Sequence, residues 1–280
     1  MKSKIFVYGT LMKNMRNHYY LEDSTYMGAT EISGYEMYDL SYYPGIVKGN
    51  GIIKGEVYEV TEDVMKKIDI LENEGNLYLK KEENTLFGKV YIYVYNKTLY
   101  NMKKIPYEMQ PYNKLMYYVA YGSNMLNERF MNYIKGGLCC FNGKYYNSCK
   151  NISEPLKSIK VNIPYDMYFS KSSSKWNESS VCFLDDSKSG FAYGKGYLIT
   201  KEQFDDIQKQ EGIYWYGKII NLGKIDGFQA YTFTNDKNLS HKGYESISKE
   251  YLKVLKLGLK ETYNELTDEE IEKYIINCTK

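Results

Sequence analysis

The stretch Ile5-Phe6-Val7-Tyr8-Gly9-Thr10-Leu11-Met12 is written again 113 residues later as Tyr118-Val119-Ala120-Tyr121-Gly122-Ser123-Asn124-Met125. Each is a short apolar run, β-rich in composition, that ends in Tyr-Gly-(Thr/Ser)-X-Met. A second pair follows. Gly55-Glu56-Val57-Tyr58-Glu59-Val60-Thr61 matches Gly194-Lys195-Gly196-Tyr197-Leu198-Ile199-Thr200 at an offset of 139, and the same offset carries Ile68 onto Ile207 and Glu72 onto Glu211. The second copy therefore holds 139 − 113 = 26 extra residues between its loop and its acid. Repeats of this size imply two domains of one fold, since solenoid periods are much shorter.

Length and composition agree. A chain of 280 residues has room for two domains, each with its own core. At 43% hydrophobic and 26% charged it reads as globular. The net charge of +2 gives no reason to expect nucleic acid or an anionic membrane as partner. Tyrosine is abundant, at 33 residues, and suits half-buried strands where a hydroxyl can still reach water. The five cysteines are scattered, no Cys-x-x-Cys occurs, and His18 and His241 are the two histidines. A metal site is not expected from that set. The odd cysteine count and the absence of a signal-peptide pattern favour a cytoplasmic protein. No apolar run approaches the ~20 residues a membrane span needs.

Along the chain, residues 4–8 read as a buried strand and Gly9-Thr10-Leu11 as a tight turn. Asn14 to Asp23 is polar, with a helical turn at its start. Strands are expected over Tyr35–Val47, with a turn at Tyr43-Pro44-Gly45, and over Ile52–Val60. Thr61 then reads as a helix N-cap, followed by Glu62 and Asp63, which suit the dipole. Val64, Ile68 and Leu71 share a helical face, and the helix stops near Glu72. The first domain is expected over 1–97. A linker with Pro106 and Pro111 spans 98–114, and a second domain runs over 115–280. In that second copy, Met125–Tyr133 is expected to be helical, and the insertion includes the polar stretch Ser170–Ser180 anchored by Trp176. Thr200-Lys201-Glu202-Gln203 has the form of a capping box, as does Thr267-Asp268-Glu269-Glu270. The tail from Gly243 is expected to be helical. Its amphipathic faces suit packing on the second domain, with a docking role for a partner as the alternative.

A strand feeding a glycine turn leaves main-chain N–H groups pointing outward, a cradle for a carboxylate or a developing oxyanion. A plain β-turn would read the same. Glu72 and Glu211 are the chemical candidates. Each ends a short amphipathic helix, where the negative end of the dipole and partial burial disfavour the ionised form and raise the pKa. That suits a general base working near neutral pH. A solvated glutamate at a helix end is the bland alternative. Duplication at a constant offset, downstream of the same loop, favours function. No Ser–His–Asp or Cys–His set can be built in each copy, because the second has no histidine near its loop.

These residues resemble the γ-glutamylcyclotransferase superfamily, also called AIG2-like. The first copy resembles its γ-glutamylamine cyclotransferase branch through Val7-Tyr8-Gly9-Thr10-Leu11, Asn17-His18, Gly55-Glu56-Val57-Tyr58 and Ile68-Asp69-Ile70-Leu71-Glu72, with Tyr78 six residues on. The second resembles the Tyr-Gly-Ser-Asn branch through Ala120-Tyr121-Gly122-Ser123-Asn124-Met125 and Gln210-Glu211-Gly212. The resemblance implies an α+β fold in which each domain is a small mixed β-barrel with short helices. It implies that a γ-glutamyl group is cyclised to 5-oxoproline with release of an amine or amino acid. Glu72 and Glu211 would then be the proton carriers. Tyr8, Gly9, Thr10, Leu11 and Tyr78, with Tyr121, Gly122, Ser123, Asn124 and Tyr216, would bind the small-molecule γ-glutamyl substrate. The resemblance calls for no cofactor. The downstream tyrosine of the second copy is open between Tyr214 and Tyr216, and Asp69 aligns with Gln208. Two other readings share the same features: a non-catalytic metabolite-binding tandem module, and a related γ-glutamyl transferase or hydrolase.

Overall fold

The computed structural model describes residues 2–112, 114–237 and 239–280. The chain divides into two compact units, Met1–Lys114 with Thr200–Glu202, and Leu115–Ile199 with Gln203–Lys280.

The first unit is built from β1 (Lys2–Val7), β2 (Thr25–Asp39), β3 (Pro44–Thr61), helix α1 (Glu62–Leu71), β4 (Tyr78–Thr85), β5 (Gly88–Tyr95) and β6 (Lys103–Ile105). The strands form one mixed sheet in the order β4-β5-β1-β3-β2-β6. Ile5 lies opposite Tyr91 in a parallel ladder on one side and opposite Tyr58 in an antiparallel ladder on the other. Alternation along β1 sorts its side chains onto two faces. Ile5 and Val7 pack with Leu11, Met12, Met65 and Ile68 beneath α1. Phe6 packs with Ile32, Tyr35, Ile46, Ile53 and Ile92, all from strands of the same sheet. A flat sheet cannot bury one face on itself, so this cluster requires the sheet to curl around its own side chains.

The N-terminus of α1 is capped as its sequence implies, with the Thr61 hydroxyl accepting from the Val64 N–H at 3.3 Å. Glu72 closes the helix, its own N–H donating to the Ile68 carbonyl at 2.9 Å. The described residues of the expected linker, 98–112 and 114, belong to this unit instead. Within it, Lys103–Ile105 adds a strand beside β2, and the buried Gln110 accepts from the Lys54 N–H at 2.9 Å. A backbone so well bonded belongs to the sheet it completes, and the prolines around it hid that strand from sequence reasoning.

The second unit contains, apart from Thr200–Glu202, β7 (Leu115–Ala120), α2 (Asn127–Lys135), the short pair β8 (Gly137–Leu138) and β9 (Tyr145–Tyr146), β10 (Lys157–Ile163), β11 (Asp166–Ser173), β12 (Ser179–Asp185), β13 (Ala192–Thr200), α3 (Lys201–Glu211), α4 (Ile213–Tyr216), β14 (Lys218–Ile225), β15 (Phe228–Thr234), α5 (Lys249–Thr262) and α6 (Asp268–Asn277). Its main sheet has the order β10-β13-β7-β15-β14. Read from the other end, this is the order β4-β5-β1-β3-β2 of the first unit. The parallel neighbours match too, with β7 beside β15 as β1 is beside β5. The written repeat is therefore a repeat of topology.

The insertion is a hairpin of buried strands, β11 on β12, turning at Ser174–Trp176. Its serines sit in a buried ladder because their hydroxyls find carbonyls: Ser170 donates to Ser240 at 2.6 Å. In the tail, α6 opens with the capping box of Thr267 and Glu270. Tyr251, Val254, Leu255, Leu259, Ile271 and Ile275 join the unit's core, so the apolar faces of α5 and α6 are used internally.

Candidate active sites

Each unit carries a cavity at the end of its central strand. In the first, a cavity of about 240 Å³ is walled by the loop Tyr8–Leu11, by Tyr43, Pro44, Tyr78 and Tyr93, and by Glu72. The loop is a tight turn, closed by the Met12 N–H donating to the Gly9 carbonyl at 3.0 Å. A side chain at Gly9 would meet Pro44 at 2.8 Å, so the loop needs glycine to lie against that wall. Asn17 and His18 fix the loop from behind. The Asn17 amide donates to the Thr10 hydroxyl at 3.0 Å, and the His18 Nδ1 to the Leu11 carbonyl at 3.0 Å. The main-chain N–H groups of Thr10 and Leu11 carry no hydrogen bond to any described residue.

Glu72 is half-buried, and its carboxyl likewise has no hydrogen-bond partner among the described residues. Burial alone raises its pKa to about 7. The phenols around it stay protonated. Burial pushes Tyr78 up, and the neighbouring Glu72 charge adds to the effect. The Tyr78 hydroxyl donates to the Pro44 carbonyl at 3.1 Å, and that of Tyr8 to the Tyr93 carbonyl at 2.6 Å.

The second cavity, of about 310 Å³, is walled by Tyr121–Asn124, Arg129, Trp176, Cys182, Glu211, Tyr216 and Tyr251, among others. The tyrosine anchors recur: Tyr121 donates to the Phe233 carbonyl at 2.7 Å and Tyr216 to the Cys182 carbonyl at 3.0 Å. Tyr216 is thus the counterpart of Tyr78, whereas Tyr214 is 94% exposed and lies outside the cavity. Around the acid the two sites part. The Asn124 amide donates to Glu211 Oε1 at 2.6 Å and approaches the Tyr118 hydroxyl at 3.2 Å.

The structure therefore brings every sequence-derived site residue to one of the two cavities. Sequence reasoning missed Tyr43, Pro44 and Tyr93 in the first, which enter through tertiary folding alone. It also missed Arg129 and Trp176 in the second. Arg129 left one signal: it is a cation on an otherwise apolar helix face, one turn before Tyr133.

The sequence profile of the family described as γ-glutamyl cyclotransferase, AIG2-like, matches residues 5–114. The Escherichia coli K12 protein YtfP, a γ-glutamylcyclotransferase family protein, is 33% identical over 102 residues, which are 36% of this chain and 90% of YtfP. The γ-L-glutamyl-butirosin B γ-glutamyl cyclotransferase of Niallia circulans is 39% identical over 69 residues, 24% of this chain and 44% of that protein. Among solved structures, Bacillus subtilis YkqA covers 99% of this chain and 98% of its own at 22% identity, with a TM-score of 0.42. No helix among the described residues is long and apolar enough to cross a membrane. On the strength of these sequence matches, the chain belongs to the γ-glutamylcyclotransferase, AIG2-like family.

Proposed function

We propose that each unit cyclises the γ-glutamyl group of a small γ-glutamyl amine or peptide, releasing 5-oxoproline and the amine. One observation carries the reading. In the first cavity a carboxyl raised to about 7 shares the space with main-chain N–H groups, and neither has a partner among the described residues. A carboxyl and main-chain donors that lack partners among the described residues match a substrate that brings an ammonium, a carboxylate and an amide carbonyl.

The chemistry needs no enzyme nucleophile, because the substrate's own α-amine attacks. The α-ammonium first loses a proton to water, and the free amine adds to the γ-carbonyl, forming the ring C–N bond and an oxyanion. Glu72 takes the second proton as that bond forms. The tetrahedral carbon then expels the leaving nitrogen, which receives the proton from Glu72 and picks up another from water. The protein's tasks are to fold the glutamyl chain into reach, to carry a proton and to meet the oxyanion. The loop N–H groups suit the substrate's carboxylate or that oxyanion. Glu211 takes the same part in the second cavity, with Ser123 and Asn124 in place of Thr10 and Leu11.

The test is 5-oxoproline release from a panel of γ-glutamyl amines and dipeptides, by the full chain and by the variants Glu72→Gln, Glu211→Gln and the two combined. Loss in one single variant assigns the active unit. Turnover that persists in the combined variant overturns the mechanism.

A further inference from the structure

Tyr93 walls the first cavity and is bonded at both ends. Its carbonyl accepts from the Tyr8 hydroxyl at 2.6 Å, which ties it to the start of the glycine loop. Its own hydroxyl reaches the other way, donating to Asp69 Oδ1 at 2.5 Å and lying 3.7 Å from the Met65 sulfur. Met65 and Asp69 stand one turn apart on α1, and Glu72 comes next along the same face. The Lys80 ammonium closes the arrangement, 2.7 Å from each Asp69 oxygen. Tyr93 is 3% exposed, and burial, followed by the Asp69 bond, pushes its pKa up, so the phenol remains a donor. A phenol on a carboxylate makes a charge-assisted bond, shorter and stronger than a neutral one.

The second unit keeps half of this. Tyr121 donates to the Phe233 carbonyl at 2.7 Å, so Phe233 is the counterpart of Tyr93, without the hydroxyl. The acceptor goes with it. Gln208 stands where Asp69 does (208 − 139 = 69), and its amide turns to the Tyr216 and Gly217 carbonyls at 3.5 and 3.4 Å. The cation goes too. Tyr93 lies opposite Lys80 in the β4–β5 ladder, whereas Phe233 lies opposite Ile219 in the β14–β15 ladder. Hydroxyl, carboxylate and ammonium are lost as a set. What the second unit has instead is the Asn124 amide, which runs directly from loop to acid at 2.6 Å.

We infer that Tyr93 is a positioning residue of the first unit: bonded to the loop through its carbonyl and to the helix of the acid through its hydroxyl, it sets the span between the loop N–H groups and the Glu72 carboxyl. The inference deepens the proposed reading of Glu72 and rests on it. Glu72 has no hydrogen-bond partner among the described residues, so its place is set by its helix, and Tyr93 holds that helix. The two units thus fix one distance in two ways, through the helix in the first and through the side chain in the second. A reacting group misplaced by about 1 Å loses much of its effect, which is why the span matters.

The test uses the full chain carrying Glu211→Gln, so that 5-oxoproline comes from the first unit alone. Into it goes Tyr93→Phe, which keeps the ring and the carbonyl bond and changes no charge. With a γ-glutamyl amine, kcat should fall at least about tenfold while KM stays within about threefold. Carbon-13 NMR of the glutamate carboxyls, with Glu72 identified by its loss in Glu72→Gln, supplies a second readout. The Glu72 titration should drop from near 7 to below about 6, because a helix end set loose admits water. A role in stability alone would lower the thermal midpoint and move neither value. Asp69→Ala should repeat the loss of kcat, and Asp69→Asn, which leaves the phenol an acceptor, should recover part of it. An unchanged kcat in Tyr93→Phe overturns the positioning role, as does an unchanged titration. Should that variant not fold, equal kcat in Asp69→Ala and Asp69→Asn overturns it. A titration that drops in a chain making no 5-oxoproline keeps the positioning role and removes the cyclisation reading of the first unit.

Discussion

Glu72 faces its cavity with no hydrogen-bond partner among the described residues, whereas Glu211, at the matching place, accepts from Asn124 at 2.6 Å. The difference lies in the residue that follows the hydroxyl in each loop. The loop offset aligns Leu11 with Asn124 (124 − 113 = 11). Leu11 joins the apolar cluster under α1, so nothing from its loop reaches the acid. Asn124 is equally buried but extends an amide across to it. Strand order, turn and tyrosine anchors are kept in both units, and the grip on the carboxyl is what varies. A shared scaffold holds two glutamates in two electrostatic settings, one governed by burial and one by a hydrogen bond.

The strongest test of that equivalence is to remove each acid in turn. Glu72→Gln and Glu211→Gln should each cut 5-oxoproline release by their own unit roughly a thousandfold, within the range for loss of a general acid–base group. If one variant is inert in this assay, the two sites are not equivalent in function and the comparison holds for architecture alone.

A stability measurement sharpens the contrast next. The Glu72 carboxyl titrates near 4.5 when unfolded and near 7 in the fold. Between those values the native state binds more protons than the unfolded state. Stability therefore falls as pH rises from about 4.5 to about 7, and is level above that. Glu72→Gln removes the penalty. Discounted for partial exposure, it should stabilise the protein by about 2 kcal/mol at pH 8 and by much less at pH 4, read from denaturant midpoints at the two pH values. A pH-independent effect would mean that water reaches the carboxyl freely.

The loops can also be exchanged. Asn124→Leu gives the second site the residue of the first and leaves Glu211 without its amide. Loss of a hydrogen bond to a charged group predicts about a tenfold drop in that unit's kcat/KM. An unchanged rate would show that the Asn124 bond holds the resting site rather than the working one.

How much of this was legible follows from the kind of signal each part leaves. Loop and acid could be read because duplication filtered them: two short motifs at constant offsets survive where one would not. The Thr61 and Thr267 caps were legible because a cap is a local side-chain-to-backbone bond. The first half of β2 was not. Thr25–Ser33 exposes one face to water and is interrupted by Gly28, so its composition looks like a loop until β3 pairs with it. The strand within 98–114 was hidden by its prolines, and the buried hairpin of the insertion by its serines. Arg129 stayed invisible because its environment, two tyrosine rings from separate segments, exists only after folding.

The smallest predicted effect concerns the tyrosines that close the two cavities. Tyr78 and Tyr216 each donate to a carbonyl of the opposite wall, Pro44 and Cys182, although one opens a strand and the other ends the short helix α4. Tyr78→Phe and Tyr216→Phe should each cost about 1 kcal/mol, the net value of one such bond, because the ring remains and only the donor is lost. Tyr214→Phe should change stability by less than about 0.5 kcal/mol, as expected for a surface site. Thermal unfolding of the three variants separates the cases. If Tyr214→Phe and not Tyr216→Phe lowers the midpoint, the pairing of Tyr78 with Tyr216 is wrong. The five-residue spacing from Glu211 would then have to be explained without a shared carbonyl anchor.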